Sequence, residues 1–435
     1  MTDAIGLRLN EPYLHGLLLA TNAIPNARLL VDGPGSVAVK ARRIVGPHDL
    51  RSTLLDCAGE DRVVCSGIDA NRMADGEESS LIDPLKRLAA DATAGVVLVT
   101  AMPMTSVADT DDGRSLGQAA PEGGAPIVDV GHRALADDWL TGYEAALAAL
   151  AQGMDLSGRR GSADHVAVIG YLMDRNEGDH RGNVAALRRM LRALGLEPTS
   201  IWLSGASYEE LRDVRHAETI VSLPHGRRAA RILAERLGAE LVETDLPFGL
   251  DGTTRWMKQV AAATGREAQA TAYVDGELDR IVPRLEWVVP QIFLGRRFVF
   301  IGDPHYGKRF VELIGELGGS VPDLVVTADD SHLSEPEYAA LAERTHLRHQ
   351  PDLLALRTWW QAQDPTQIDM LVSSSFAAEV VEVESPWLEW GYPSHYTHFL
   401  TDEPFLGFEG CLSFINRVAN AMTQQSAFFR ARDGV

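Results

Sequence analysis

Two histidines three residues apart, His395 and His398, stand in the most aromatic stretch of the chain, "GYPSHYTHFLTDEPFLGFEGC" (391–411), among Tyr392, Tyr396, Phe399, Phe405 and Phe408. Imidazole is a common metal ligand, so a pair spaced this closely first suggests a metal site. A metal site would need a third protein ligand, and none lies nearby in sequence. The competing reading is a packed aromatic loop beside a site. A second stretch of chemical interest is "LLVDGPGSVAVKARR" (29–43), where an apolar run stops at Asp32-Gly33-Pro34-Gly35 and Ser36 is presented just beyond. It reads as a strand followed by a tight turn whose glycines supply special backbone angles. Ser36 has no obvious base beside it, and serine is also a favoured cap for a following helix. Of the three cysteines, Cys57 and Cys65 lie close enough to share a metal with outside help. No CxxC pair occurs, and buried Cys otherwise behaves as a small hydrophobe. "GYLMDRNEGDHRGN" (170–183) looks like a phosphate loop but lacks both GxGxxG and GxxxxGK[ST]. In "DPHYGK" (303–308), Asp303 is most simply a helix N-cap.

The elements that must position these residues alternate along the chain. Apolar, β-branched runs come in three sets. The first is "ARLLVDG", "DRVVCSG", "GVVLVTA" and "PIVDVG"; the second is "HVAVIGY", "TSIWLSG", "ETIVSLP" and "AELVETDLP"; the third is "RFVFIGD", "DLVVTADD", "DMLVSSS" and "PWLEWGYP". Continuous rather than alternating hydrophobicity means burial on both faces, as in parallel sheets covered by helices. Helix-like stretches intervene. "DHRGNVAALRRMLRALGLEP" (179–198) lines up Val184, Leu187, Met190, Leu191 and Leu194, with Gly195 at a C-cap position. The reading is α/β, with three doubly wound, Rossmann-like parallel-sheet domains around a central cleft. Their expected spans are 1–158, 159–290 and 291–435, with the C-terminal helix, 408–435, packing back on the first. Linkers are expected at 156–165 and near 283–297. In such sheets ligands sit outside the carboxyl ends of the strands, which places both stretches singled out above at sites.

Composition narrows the function. The 435 residues are 45% hydrophobic and 23% charged, ordinary for a globular protein. A formal net charge of −21 argues against nucleic acid or an anionic membrane as the main partner. No run is long and apolar enough for a membrane span, and the first residues lack the layout of a signal peptide, so a cytoplasmic location without membrane insertion is expected.

Four segments in register resemble component 1 of nitrogenase and its relatives, which include the dark-operative protochlorophyllide and chlorophyllide reductases. They are "VIGYLMDRNEGDHRGNVAALRRMLRALGLEP", "ETDLPFGLDGTTRWMKQVAAATG", "VFIGDPHYGKRFVELIGELGG" and "WGYPSHYTHFLTDEPFLGFEGCLSFINRVAN". The likeness covers almost the whole chain and implies the same three-domain α/β fold.

The resemblance also implies a context for "DGPGSV". In the family this loop carries a cysteine ligand of an iron–sulfur cluster at the interface of two homologous subunits, and two further cysteines follow. Here Ser36 holds the first position, the second falls near Thr53, and the third near Pro103 or Met104. The thiolates that hold such clusters are missing at all three. The resemblance therefore implies that no cluster is held by this chain alone, and that any iron–sulfur cluster is shared with a partner subunit. Asp32, Gly33, Gly35, Ser36 and the displaced Cys57 are the candidate residues facing it. The implied partners are a homologous α-like component 1 subunit, in a heterotetramer, and an ATP-dependent iron-protein reductase. The implied role is the β-type subunit of a nitrogenase-like reductase, with His395 and His398 as catalytic proton donors. The alternative is a non-catalytic scaffold that binds a metal cofactor or tetrapyrrole during assembly.

Overall fold

The structure is a computed structural model that describes residues 11–45, 49, 51–55, 61–75, 81–102, 123–131, 137–383 and 385–432. The chain forms two compact units.

One unit comprises Pro12–Glu177 and Leu196–Glu243. It holds two four-stranded sheets. The first is built from β1 (Ala27–Asp32), β2 (Val63–Cys65), β3 (Val96–Ala101) and β4 (Ile127–Asp129), in the order β2-β1-β3-β4. The second is built from β5 (His165–Ile169), β6 (Glu197–Ile201), β7 (Thr219–Ser222) and β8 (Glu240–Glu243), in the order β6-β5-β7-β8. Every pairing is parallel. The inner strands are the continuous apolar runs: β1 is buried along its whole length, as is β7. Leu30, Val97 and Val99 pack on Leu81, Leu85 and Ala89 of the helix Ile82–Ala90 and its N-cap, which cover one face.

The other unit includes Gly178–Gly195 and the chain from Thr244 onward. Its sheet has five parallel strands, β9 (Arg297–Gly302), β10 (Ser320–Val326), β11 (His346–His349), β12 (Met370–Ser373) and β13 (Trp387–Glu389), in the order β11-β10-β9-β12-β13. Val299, Ile301, Val325 and Leu371 form a core with Leu356, Ala377 and Val381 of the covering helices. The helix Gly407–Arg432 packs on β13 and on the helices Gly178–Ala193 and Leu250–Thr264.

Two strands differ from the sequence reading. β6 starts at Glu197 and takes in Pro198, which an edge strand tolerates because it need not donate an N–H on its outer side. β11, "HLRH", lies outside the three sets of apolar runs. It is an outer strand with one aliphatic residue in four and no fully buried position, so it lacks the apolar signal of the inner strands.

Candidate functional site

In each sheet two neighbouring inner strands run their crossovers in opposite directions, and their carboxyl ends are where a ligand crevice opens in such folds. In the first sheet those strands are β1 and β3, which places Asp32–Ser36 beside Met102. In the third they are β9 and β12, which places Asp303–Tyr306 beside Ser373–Ser375.

The DGPGS turn is closed by its own neighbours. The Asp32 carbonyl accepts the Met102 amide at 2.8 Å, and the Gly33 amide donates to Ser66 Oγ at 3.0 Å. A Cβ on Gly33 would lie 2.4 Å from Met102 Cγ, so this glycine is required by close packing. Neither Gly33 nor Gly35 adopts the left-handed conformation, which corrects the expectation of special backbone angles. Gly35 is exposed with open space around its Cα. Asp32 is fully buried, whereas Ser36 is exposed at the start of the helix Val37–Val45. Cys57 lies outside the described residues. Cys65, at the end of β2, is half-buried, and burial pushes its thiol up. A cluster needs several thiolates. One thiol biased toward its protonated form, one exposed hydroxyl and one carboxyl turned into the protein do not make that donor set. The described residues do not fit a cluster held by this chain.

The histidine loop leaves β13 and is built around Glu389, the last residue of that strand. Glu389 is 3% exposed. Its carboxylate accepts three consecutive amides, from His395 at 2.7 Å, Tyr396 at 3.1 Å and Thr397 at 2.5 Å. Burial alone would raise this carboxyl, but the Thr397 hydroxyl and the three amides outweigh it and hold Glu389 below the usual range. Upstream, the cis Tyr392–Pro393 bond is followed by a Pro393 carbonyl that accepts both the amide and the hydroxyl of Ser375, at 3.1 and 3.0 Å. Downstream, the Arg417 guanidinium lies 4.4 Å from the Phe399 ring centroid and donates to the Glu389 carbonyl at 3.2 Å. His395 is half-buried and His398 exposed. Tyr396, 60% exposed, donates its hydroxyl to Glu379 at 2.5 Å.

The aromatic stretch is divided between core and surface. Phe405 and Phe408 are core residues, and Trp390 sits among Phe248, Phe300, Tyr306, Phe405 and Phe414. Tyr396 and His398 remain at the surface. Among the described residues no three His, Cys, Asp or Glu side chains converge to hold a metal ion. Asp303 is the expected cap, accepting the Tyr306 amide at 2.7 Å.

The "GDHRGN" segment has a structural use. It opens the helix Gly178–Ala193, and the chain at 399–406 crosses directly over it. The Gly178 amide donates to the Phe399 carbonyl at 2.8 Å. Asn183 Oδ1 accepts the amides of Phe405 and Leu406 at 2.8 and 2.9 Å. A Cβ on Gly178 would lie 2.0 Å from the Thr401 carbonyl oxygen, and one on Gly182 would lie 2.8 Å from Pro404 Cδ. The glycines admit a crossing chain, and the first amide of the helix, that of Gly178, is taken by it.

Sequence reasoning missed Glu389 and Asn183. Glu389 did leave a signal, because an acid inside the apolar run "PWLEWGYP" must find donors if it is buried.

Known proteins share this fold. A solved structure titled "Nitrogenase Cp1 at pH 6.5" superposes with a TM-score of 0.79 over 97% of this chain and 93% of that one, at 16% identity. The nitrogenase molybdenum-iron protein beta chain of Crocosphaera subtropica is 22% identical over 394 residues, covering 83% of this chain and 74% of that protein. A light-independent protochlorophyllide reductase chain of Methylobacterium radiotolerans is 25% identical over 239 residues, 53% of this chain and 43% of that one. Among the described residues no helix is long and apolar enough to cross a membrane. The profile of the family described as nitrogenase component 1 type oxidoreductase matches residues 13–423, and with three parallel sheets in that family's fold the chain belongs to it.

Proposed function

We propose that this chain is the β-type subunit of a nitrogenase-like two-component reductase. The observation that carries the reading is its alignment with a nitrogenase beta chain along 83% of its own length. In this reading a homologous α-like chain pairs with it, and an ATP-dependent iron-protein reductase supplies electrons. Any iron–sulfur cluster of the complex takes its thiolates from the companion. The Asp32–Ser36 turn then contributes backbone and the Ser36 hydroxyl to the facing wall. His395 and His398 supply protons, which a reduction consumes along with electrons. The half-burial of His395 and the exposure of His398 support that role, since a donor must be recharged from solvent.

The test is anaerobic co-purification from the native host, with mass determination, iron counting and electron paramagnetic resonance. A companion chain of similar length, and dithionite oxidation that requires ATP and the iron protein, are expected. The scaffold reading is favoured by one observation, the lack of a thiolate set at the turn. It requires a complex that never consumes dithionite with ATP.

A further inference from the structure

We infer that Glu389 is the positioning residue of the histidine loop, its carboxylate fixing through three consecutive amides the backbone that carries His395 and His398. The inference rests on the reading of those histidines as proton donors. A carboxylate taken out of water is costly unless its oxygens are satisfied. Backbone amides can do this as well as a cation can. The partners of the Glu389 carboxylate are the amides of residues 395–397 and the Thr397 hydroxyl. These amides belong to a loop with no helix or ladder of its own to satisfy them. The carboxylate therefore specifies the path of the loop. The other ties bracket the same residues: Pro393 is held by Ser375 before them, and Phe399 by Arg417 and Gly178 after them. Glu389 is also the residue where the loop joins the sheet, in register with Ser373 of β12. Its backbone is thus fixed by the ladder, and its side chain passes that order on to the histidines.

The test compares the full chain with Glu389→Gln, which keeps the shape, removes the charge and turns an amide donor toward the backbone N–H groups. Amide-resolved hydrogen exchange should accelerate at 395–397 by about tenfold or more, the loss expected when charge-assisted bonds are removed. Exchange at Leu371 and Val372 in β12 should not change. Carbethoxylation of His395 by diethyl pyrocarbonate should rise several-fold, with exposed His346 as the unchanged reference. Unchanged exchange at 395–397 overturns the inference. So does faster exchange with unchanged His395 reactivity. Should the variant fail to fold, the native chain carries the test. Its amides at 395–397 must then exchange at least about tenfold more slowly than those of exposed Leu400–Asp402, and equal rates overturn the latch. Failure of the functional reading looks different. His395→Asn and His398→Asn would then leave ATP-dependent dithionite oxidation by the complex unchanged, even with the latch intact, and the positioning role would fall with it.

Discussion

Tyr306 and Trp390 lie flat on one another, their ring centroids 4.9 Å apart and their planes 5° apart. Phe248 stacks on the same indole at 5.0 Å and 15°, and the edges of Phe300, Phe405 and Phe414 close around it. The residues come from the turn before Leu250, from β9, from the helix Pro304–Glu316, from the 391–411 segment and its flank, and from the helix Gly407–Arg432. One side chain thus ties together elements distant in sequence. Trp390→Ala should destabilise the protein by roughly 3–5 kcal/mol in urea unfolding followed by circular dichroism, because the void would be large and its rim rigid. Trp390→Phe should cost clearly less. A Trp390→Ala variant within about 1 kcal/mol of the native protein would show that the cluster collapses without loss.

The strap at 399–406 makes a second test. Gly178→Ala would drive a methyl into the Thr401 and Phe399 carbonyls, whereas a methyl at Gly195 meets nothing within 4 Å and suffers only from a φ of +74°. Gly195→Ala should cost about 1–2 kcal/mol, the left-handed penalty alone. Gly178→Ala should cost more than that and should accelerate hydrogen exchange at Phe405 and Leu406. Equal losses for the two variants would mean that the strap shifts freely.

Stability should carry a pH dependence from Glu316. Desolvation beside the neighbouring helix first, and then the negative charges of Asp251 and Glu312, raise this carboxyl to about 7, against the pull of Arg255 and of the Asp251 amide it accepts; the side chain is still exposed, so solvent screening keeps the resulting change in stability small. The folded state keeps the proton after the unfolded chain has lost it. This contribution is therefore fully present below the usual carboxylate range and is lost as pH rises toward about 7. Glu316→Gln should gain stability relative to the native protein as pH rises from 5 to 8, read from urea midpoints. A constant difference across that range would contradict the assignment.

The purified chain, reconstituted anaerobically with iron and sulfide, should bind less than one cluster per chain. The turn at Asp32–Ser36 offers no thiolate, and the Cys65 thiol is biased toward protonation. Iron counting together with the visible absorption of a cluster settles the point. Several irons per chain would require cysteine ligation that the Asp32–Ser36 turn and Cys65 do not supply.

The fold was legible in the inner strands. Runs such as "LLV" (29–31), "VVLV" (96–99) and "FVFI" (298–301) are apolar throughout because both of their faces are buried, and this pattern survives without any knowledge of neighbours. β11 was not legible, since an outer strand buries too little to need such a pattern. At the candidate site the sequence marked where the strands end and the loops begin, because turns at strand ends carry their own punctuation in Gly, Pro, Ser and Asp. What it concealed was which polar residue serves which. Glu389 lies six residues from His395, and Asn183 more than two hundred from the amides it accepts. Nothing in local spacing encodes those pairings.

The compact units are not continuous in sequence, and this shapes how the protein can be made. The chain changes unit after Glu177, again after Gly195 and again after Glu243. No single cut yields two halves that could fold separately. On the ribosome the helix Gly178–Ala193 emerges about two hundred residues before the 399–406 strap that covers its first turn. At bacterial elongation speeds that is a wait on the order of ten to forty seconds, during which Gly178, Gly182 and Asn183 lack the chain that packs on them.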